Sequence, residues 1–164
     1  MSALLFYLFG ALAVGGALGM VLNVRNTVAG AMSLVLCMVA LGGVYVLLDA
    51  YLIGVLQILV YAGAIVVLFL FVVMLLNLRG EQFGPERLVV GKVLGGVAAA
   101  LLLLLLLWLS PAFPPPAELP PGFGGYRNVG LVLFTDWVLA FEATSLLLLA
   151  AMIGAVVLAK RKVD

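Results

Sequence analysis

Long apolar stretches separated by short polar segments dominate the sequence. Five of them reach or approach the roughly 20 residues that an α-helix needs to cross a bilayer core about 30 Å thick. Within their limits the only charged residues are Lys92, near the start of the fourth stretch, and Glu142 in the fifth. The pattern predicts an all-α membrane protein, one membrane domain over residues 1–164, with five transmembrane helices at residues 3–22, 28–48, 51–78, 88–109 and 137–159.

Lysine and arginine are unevenly distributed between the segments that flank these spans. Five spans place the two termini on opposite sides of the membrane. Of the eight basic residues, only Arg127 lies on the side that carries the connection between the fourth and fifth spans. Because cytoplasmic segments carry the excess of basic residues, we expect the N-terminus outside, on the periplasmic side, and the C-terminus in the cytoplasm. The basic residues on the cytoplasmic side are Arg25, Arg79, Arg87, Lys92, Lys160, Arg161 and Lys162.

The longest connection, residues 110–130, is rich in proline and glycine. Six prolines between Pro111 and Pro121 are followed by Gly122, Gly124 and Gly125. Proline lacks the backbone N–H of a helix interior and favours a polyproline-like path, so we expect an extended outer loop. Two interpretations stay open, a stiff spacer and a strap docked across a neighbouring subunit.

Composition narrows the chemistry that the chain can carry. Of its residues 67% are hydrophobic and only 9% charged, against roughly 25% charged in soluble domains, which excludes a soluble enzyme. A net charge of +1 without a basic patch argues against a nucleic-acid partner. With no histidine and one cysteine, the chain cannot by itself ligate haem, an iron–sulfur cluster or a structural zinc ion. Cys37 is predicted to be a small buried apolar residue.

The third span is longer than a bilayer requires. Its 28 residues would form a helix of about 42 Å, so it must tilt, kink or project into the cytoplasm. Glycine lowers helix propensity by about 1 kcal/mol. Gly63, between Tyr61 and Ala64, therefore predicts a kink or a π-bulge at this place.

Four residues of the third span would share one face of a regular α-helix. Gly54, Gln57, Tyr61 and Ala64 follow the i, i+3, i+7, i+10 spacing, which combines small residues with an amide and a phenol in an aliphatic rod. One interpretation is tight packing with hydrogen bonds between helices. The other is a gating face, where a change of helix pitch moves Gln57 and Tyr61 into or out of a water path.

Small residues recur at i, i+4 spacing on several helices. Helices in lipid approach one another closely through such residues. There are more small faces than five helices need among themselves, which indicates a larger complex. The faces are Ala11, Gly15 and Gly19; Gly91, Gly95 and Ala99; Ala150 and Gly154; Ala151 and Ala155.

Two segments resemble a known family. Residues 54–77, GVLQILVYAGAIVVLFLFVVMLLN, closely resemble the third helix of subunit J of bacterial NADH–quinone oxidoreductase, respiratory complex I, whose mitochondrial counterpart is subunit 6. Residues 133–137, LFTDW, and 141–155, FEATSLLLLAAMIGA, resemble its last helix. The chain departs from many relatives at Thr27, where they have proline, and from some at Gln57 and Tyr51, where they carry an acid. The amide at Gln57 therefore does not favour a direct proton relay at that position.

The resemblance implies a subunit without a catalytic centre or cofactor of its own, in the bacterial inner membrane. The complex would pass electrons from NADH through FMN and iron–sulfur clusters to a membrane quinone and couple this to proton export. Implied partners are the quinone-site subunit, a small three-helix subunit and antiporter-like subunits. The alternative is a homologous subunit of a cation/proton antiporter or membrane-bound hydrogenase complex.

The resemblance also implies that a π-bulge in the third helix switches to α and opens or closes a water path. Proton-path candidates are Glu142, which could instead be satisfied by a neighbouring helix, and Asp49, which could instead be a helix-end residue. The gating candidates are Gly54, Gln57, Tyr61, Gly63 and Ala64.

Overall fold

The computed structural model describes residues 2–23, 26–76, 85–109 and 122–160, and these ranges are helical apart from turns and helix ends. The all-helical architecture expected from the sequence is therefore confirmed for them. The helices are α1 (Ser2–Leu22), α2 (Thr27–Leu47), α3 (Tyr51–Leu56), the π-helix π1 (Gln57–Ile65), α4 (Val66–Leu76), α5 (Pro85–Leu109), α6 (Tyr126–Thr135) and α7 (Val138–Ala159).

Within the described ranges, four helical stretches are long and apolar enough to cross a membrane: Ala3–Leu22, Thr27–Leu47, Tyr51–Leu76 and Val138–Ala159. The third of these is the continuous rod formed by α3, π1 and α4, called the third helix below. α5 contributes a shorter apolar stretch, Val93–Leu109.

α1 and α2 pack with their backbones in close contact. A Cβ atom on Gly16 of α1 would lie 2.8 Å from the backbone nitrogen of Cys37 and 2.9 Å from the carbonyl oxygen of Ser33. Cys37 is buried beside Ala13 and Ala40, as the sequence predicts. Of the small-residue face on α1, a Cβ atom on Gly19 would lie 3.0 Å from Oγ of Ser33, whereas one on Gly15 meets open space, so Gly15 makes no contact with the described helices.

α2 ends in a Schellman motif that begins the third helix. The N–H of Ala50 donates to the carbonyl of Tyr45 at 3.0 Å and that of Asp49 to Val46 at 3.2 Å, which satisfies two terminal carbonyls of the helix. Asp49 adopts the left-handed backbone conformation (φ 59°) that such a cap requires. Aspartate tolerates this conformation better than most residues other than glycine. Asp49 therefore has a structural role as a helix-end residue.

The segment expected to be an extended loop up to residue 130 ends earlier. Residues 110–121 lie outside the described residues, residues 122–124 form a turn, and α6 begins at Tyr126. The expectation is wrong for residues 126–130 because the prolines stop at Pro121, after which backbone N–H groups are free to form helical hydrogen bonds. Val129 and Leu133 of α6 are half-buried, and α6 packs against α3 and α7.

The described helices do not form one compact bundle. The main packing pairs are α1 with α2, α2 with the third helix, α3 with α6, and α6 with α7, whose corner is held by Phe134 edge-to-face with Phe141 at 4.9 Å. α5 forms none of these pairs, and α7 has no buried residue. Most of the apolar surface of α5 and α7 thus remains available to other molecules.

Gly16→Val is expected to open the α1–α2 contact, because its side chain would meet backbone atoms that cannot rotate away. Overpacking of this kind weakens a contact by about 1–3 kcal/mol. Cys37 is the chain's single cysteine, so alkylation by a maleimide in mild detergent reports this opening directly. The alkylation rate should rise at least about fivefold. Gly15→Val, the matched change into open space, should leave the rate unchanged, and equal rates for the two variants would contradict the packing described.

Candidate functional site

The third helix lies close against α2 where two glycines face each other. A Cβ atom on Gly54 would lie 3.0 Å from the carbonyl oxygen of Gly42 and 2.8 Å from Cγ2 of Val46. A Cβ atom on Gly42 would lie 2.7 Å from Cγ1 of Ile58. Both glycines are buried. The two backbones can approach this closely only because neither residue carries a side chain.

Directly after this contact the third helix changes from α to π. Gln57–Ile65 forms nine residues of π-helix, and at its end the N–H of Val66 donates to the carbonyl of Tyr61, five residues earlier. The π segment includes the place where the sequence predicts a bulge or kink, between Tyr61 and Ala64. A Cβ atom on Gly63 would stand 3.3 Å from the carbonyl oxygen of Ile58, so the absence of a side chain relieves crowding in the wider helix.

The π backbone changes which residues face α2. The buried positions of the third helix are Gly54, Ala62, Val66 and Val73, with Ile58 against Gly42. The i→i+5 hydrogen bonds place more residues in each turn than the 3.6 of an α-helix. Residues four apart, 54, 58, 62 and 66, therefore stay on the side of α2.

The single face predicted from α-helical spacing is correspondingly wrong. Gly54 and Gln57 lie toward α2, but the Tyr61 side chain is 51% exposed and Ala64 is exposed. The prediction assumed an α-helical pitch across residues 57–65, where the backbone is π. Gly63 is also on the accessible side.

One polar contact joins the π segment to α2. Nε2 of the half-buried Gln57 donates to Sδ of Met38 at 3.1 Å. A thioether is a weak hydrogen-bond acceptor, so this bond orients the Gln57 amide but stabilises it only weakly. Sequence reasoning missed Met38, Gly42 and Ile58 as parts of the site. The adjacent glycines Gly42 and Gly43 in α2 were the available signal for a close helix contact.

The two proton-path candidates lie on different elements. Asp49 is in the α2–α3 turn, where Oδ1 accepts a hydrogen bond from the Tyr51 hydroxyl at 3.0 Å. Glu142 lies on α7, and its side chain is exposed. Next to Glu142 on α7, the hydroxyls of Thr144 and Ser145 donate hydrogen bonds to backbone carbonyls of their own helix. The structure therefore places Asp49 next to the third helix and Glu142 on the helix that packs against α6.

The side chains of the π segment provide hydrogen-bonding groups. Its polar groups, the amide of Gln57 and the phenol of Tyr61, donate and accept hydrogen bonds. Such groups can orient water molecules. Within the described ranges, His, Cys, Asp and Glu residues form no cluster of three or more that could hold a metal ion.

Known proteins resemble the chain over most of its length. The family model described as NADH-ubiquinone/plastoquinone oxidoreductase chain 6 matches residues 16–158. NADH-quinone oxidoreductase subunit 10 of Thermus thermophilus is 40% identical over 85% of this chain and 79% of its own length. NADH-quinone oxidoreductase subunit J of Escherichia coli is 36% identical over 92% of this chain and 82% of its own.

A further relative carries a different name. F(420)H(2) dehydrogenase subunit J of Methanosarcina mazei is 34% identical over 83% of this chain and 78% of its own length. The family match covers far more than half of the chain, and the relatives align over most of theirs. The chain therefore belongs to the chain 6 family, also called subunit J, of NADH–quinone oxidoreductase membrane subunits.

Proposed function

We propose that the chain is a non-redox membrane subunit of a proton-translocating NADH:quinone oxidoreductase, and that its third helix gates a water path by changing between π and α pitch. The nine-residue π-helix Gln57–Ile65 carries the proposal. π-helical turns are rare and occur frequently at functional sites.

The residues of the third helix support two alternative registers. In the π form, Ile58, Ala62 and Val66 follow Gly54 along the side of α2. At α pitch, the i, i+3, i+7, i+10 spacing places Tyr61 and Ala64 on the face of Gly54, together with Gln57, which already lies toward α2. A change from π to α therefore brings the Tyr61 phenol to the side of the Gln57 amide, in place of Ala62 and Val66. This exchange is what a switch between a dry and a hydrated path requires.

The donor groups of the chain fit a non-redox role. Haem and iron–sulfur clusters are held mainly by histidine and cysteine, and the chain has no histidine and a single, buried cysteine. The FMN, iron–sulfur clusters, NADH and quinone of the complex then belong to other subunits, and this chain contributes support and gating.

The contact between two turns supports the proposed topology. Residue Gly124, after the proline-rich segment, lies against Asp49 at the end of α2, so both turns are on the same side of the membrane. The chain between them must cross the membrane an even number of times. The third helix supplies one crossing, and α5 with its apolar stretch Val93–Leu109 supplies the other. With the basic-residue asymmetry, this favours five spans, an outer N-terminus and a cytoplasmic C-terminus.

The unpaired apolar surface supports assembly with other chains in the bacterial inner membrane. α5 and α7 present their apolar residues outward instead of packing against the α1–α2 pair or the third helix. We propose the quinone-site subunit, the small three-helix subunit and the antiporter-like subunits as their neighbours.

The electron donor of the complex has a second candidate. The relative from Methanosarcina mazei is named as a subunit of an F(420)H(2) dehydrogenase, so a related chain belongs to a complex with a different electron donor. Purification in mild detergent, followed by identification of the accompanying chains, separates the two. Flavin and NADH-binding subunits support the first candidate. Their absence would support the second candidate, and an antiporter or hydrogenase module in their place would support the alternative raised by the sequence.

Gly63→Val is expected to slow quinone-linked turnover and proton pumping several-fold. Its β-branched side chain would crowd the Ile58 carbonyl oxygen, which would stand 3.3 Å from the new Cβ atom, and would bias the segment away from its π form. Oxidation of NADH by artificial acceptors should stay normal because it bypasses the membrane arm. Tyr61→Phe, which removes only the hydroxyl, should slow coupled turnover in the same way.

Gly130→Val is the matched control. It makes the same substitution in α6, where a Cβ atom meets open space. It should pump normally once a native gel shows that the complex has assembled. Normal quinone-linked proton pumping in Gly63→Val membranes would refute the gating role.

Of the two proton-path candidates, we propose that Glu142 takes part in proton transfer and that Asp49 does not. The left-handed turn conformation accounts for an aspartate at position 49. Glu142, by contrast, is an ionisable residue within an apolar span, where such residues mark functional sites. Glu142→Gln should lower proton pumping several-fold and Glu142→Asp should retain most of it. Asp49→Asn, which keeps the tolerance for the left-handed conformation, should leave pumping unchanged. Loss of pumping in Asp49→Asn with normal pumping in Glu142→Gln would reverse the assignment.

A further inference from the structure

We infer that the turn at residues 122–125 clamps the α2–α3 turn and thereby holds the amino-terminal end of the third helix still while the π segment changes pitch. Gly124 is then a positioning residue for the gate. The inference rests on the proposed function, since it says which end of the third helix moves.

The clamp is a contact between two backbones. A Cβ atom on Gly124 would overlap the carbonyl group of Asp49 and would lie 3.1 Å from Cα of Ala50. Gly124 also has a positive φ of 74°, which favours glycine. Any side chain at this position must therefore separate the two turns, and the chain has glycine where the turns touch.

Each partner in this contact is held by its own hydrogen bonds. On one side the Schellman bonds fix Asp49 and Ala50, and the Ala50 carbonyl accepts from the N–H of Gly54 at 2.9 Å, in the first turn of α3. On the other side the Gly122 carbonyl accepts from Nδ2 of Asn128 at 2.9 Å and from the N–H of Gly125 at 3.1 Å. The clamp therefore joins two stiff turns, and the packing of α6 against α3 adds to it.

The held end of the third helix determines which part of the helix rotates when the π segment changes pitch. Changing the helix register by one residue rotates one end of the rod relative to the other by about 100°. α3 is held by the Gly42–Gly54 contact, by the clamp and by α6. α4 packs against α2 through the aliphatic side chains Val66 and Val73, which can slide. The rotation therefore goes to α4, on the cytoplasmic side of the π segment in the proposed topology.

Single spin labels on the assembled complex test the direction of this motion. Cys37→Ala removes the native cysteine, and new cysteines are placed at Val55 on α3 or Leu68 on α4, whose side chains are 51% and 66% exposed. During NADH–quinone turnover, the spectrum at position 68 should change and that at position 55 should not. A change at position 55 with none at position 68 would overturn the inference while leaving the switch in place. No change at either position would overturn the switch and, with it, the direction of motion.

Gly124→Ala tests the clamp itself, independently of turnover. In the resting complex, amide hydrogen exchange at residues 50–54 should rise several-fold in this variant. Gly130→Ala, an alanine placed where a Cβ atom meets open space on α6, should leave exchange unchanged. During turnover, Gly124→Ala should also transfer part of the spectral change to position 55. Unchanged exchange in Gly124→Ala would overturn the clamp, whatever the labels show.

Discussion

The close approach of α2 and the third helix at Gly42 and Gly54 is the contact on which the rest of the arrangement depends. Helices in lipid gain little from burying apolar surface against each other, because lipid tails are as apolar as their side chains. Association therefore relies on van der Waals contact at short range, and two facing glycines provide it. This contact holds α3 against the α1–α2 pair. It does not fix the helical pitch of the following residues, Gln57–Ile65.

Under the proposed gating, the π segment would store two packing registers without breaking backbone hydrogen bonds. An exposed peptide group costs several kcal/mol in the hydrocarbon region, so a gate there cannot work by local unfolding. A helix that exchanges i→i+5 for i→i+4 bonds keeps its groups paired throughout. In this chain the exchange would replace Ala62 and Val66 by Tyr61 and Ala64 on one side. The weak Gln57–Met38 hydrogen bond would let the proposed gate change its packing against α2.

Much of the fold followed from composition and spacing, and the remaining features depended on contacts that spacing cannot reveal. The apolar stretches predict the helices well because lipid permits few alternatives, and the buried Cys37 follows from its apolar surroundings. The sequence could not choose Gly16 over Gly15 as the contact residue, since the two are adjacent glycines in the middle of α1. It also could not reveal Met38, because an unbranched apolar side chain gives no sign that it will accept a hydrogen bond.

The sequence by itself determined that this is a membrane-embedded, helical protein without the histidines or the several cysteines that hold haem or an iron–sulfur cluster, because scarcity of charge, absence of histidine and the long apolar stretches are properties of composition. It also located the irregularity in the third helix, through Gly63 within an overlong span. Only the tertiary structure decided that this irregularity is a nine-residue π-helix, which residues then face α2, and that Gly124 lies on the α2–α3 turn. The physical reason is that helix pitch and backbone contacts depend on the neighbouring helix, and one-dimensional spacing carries no information about which neighbour that is.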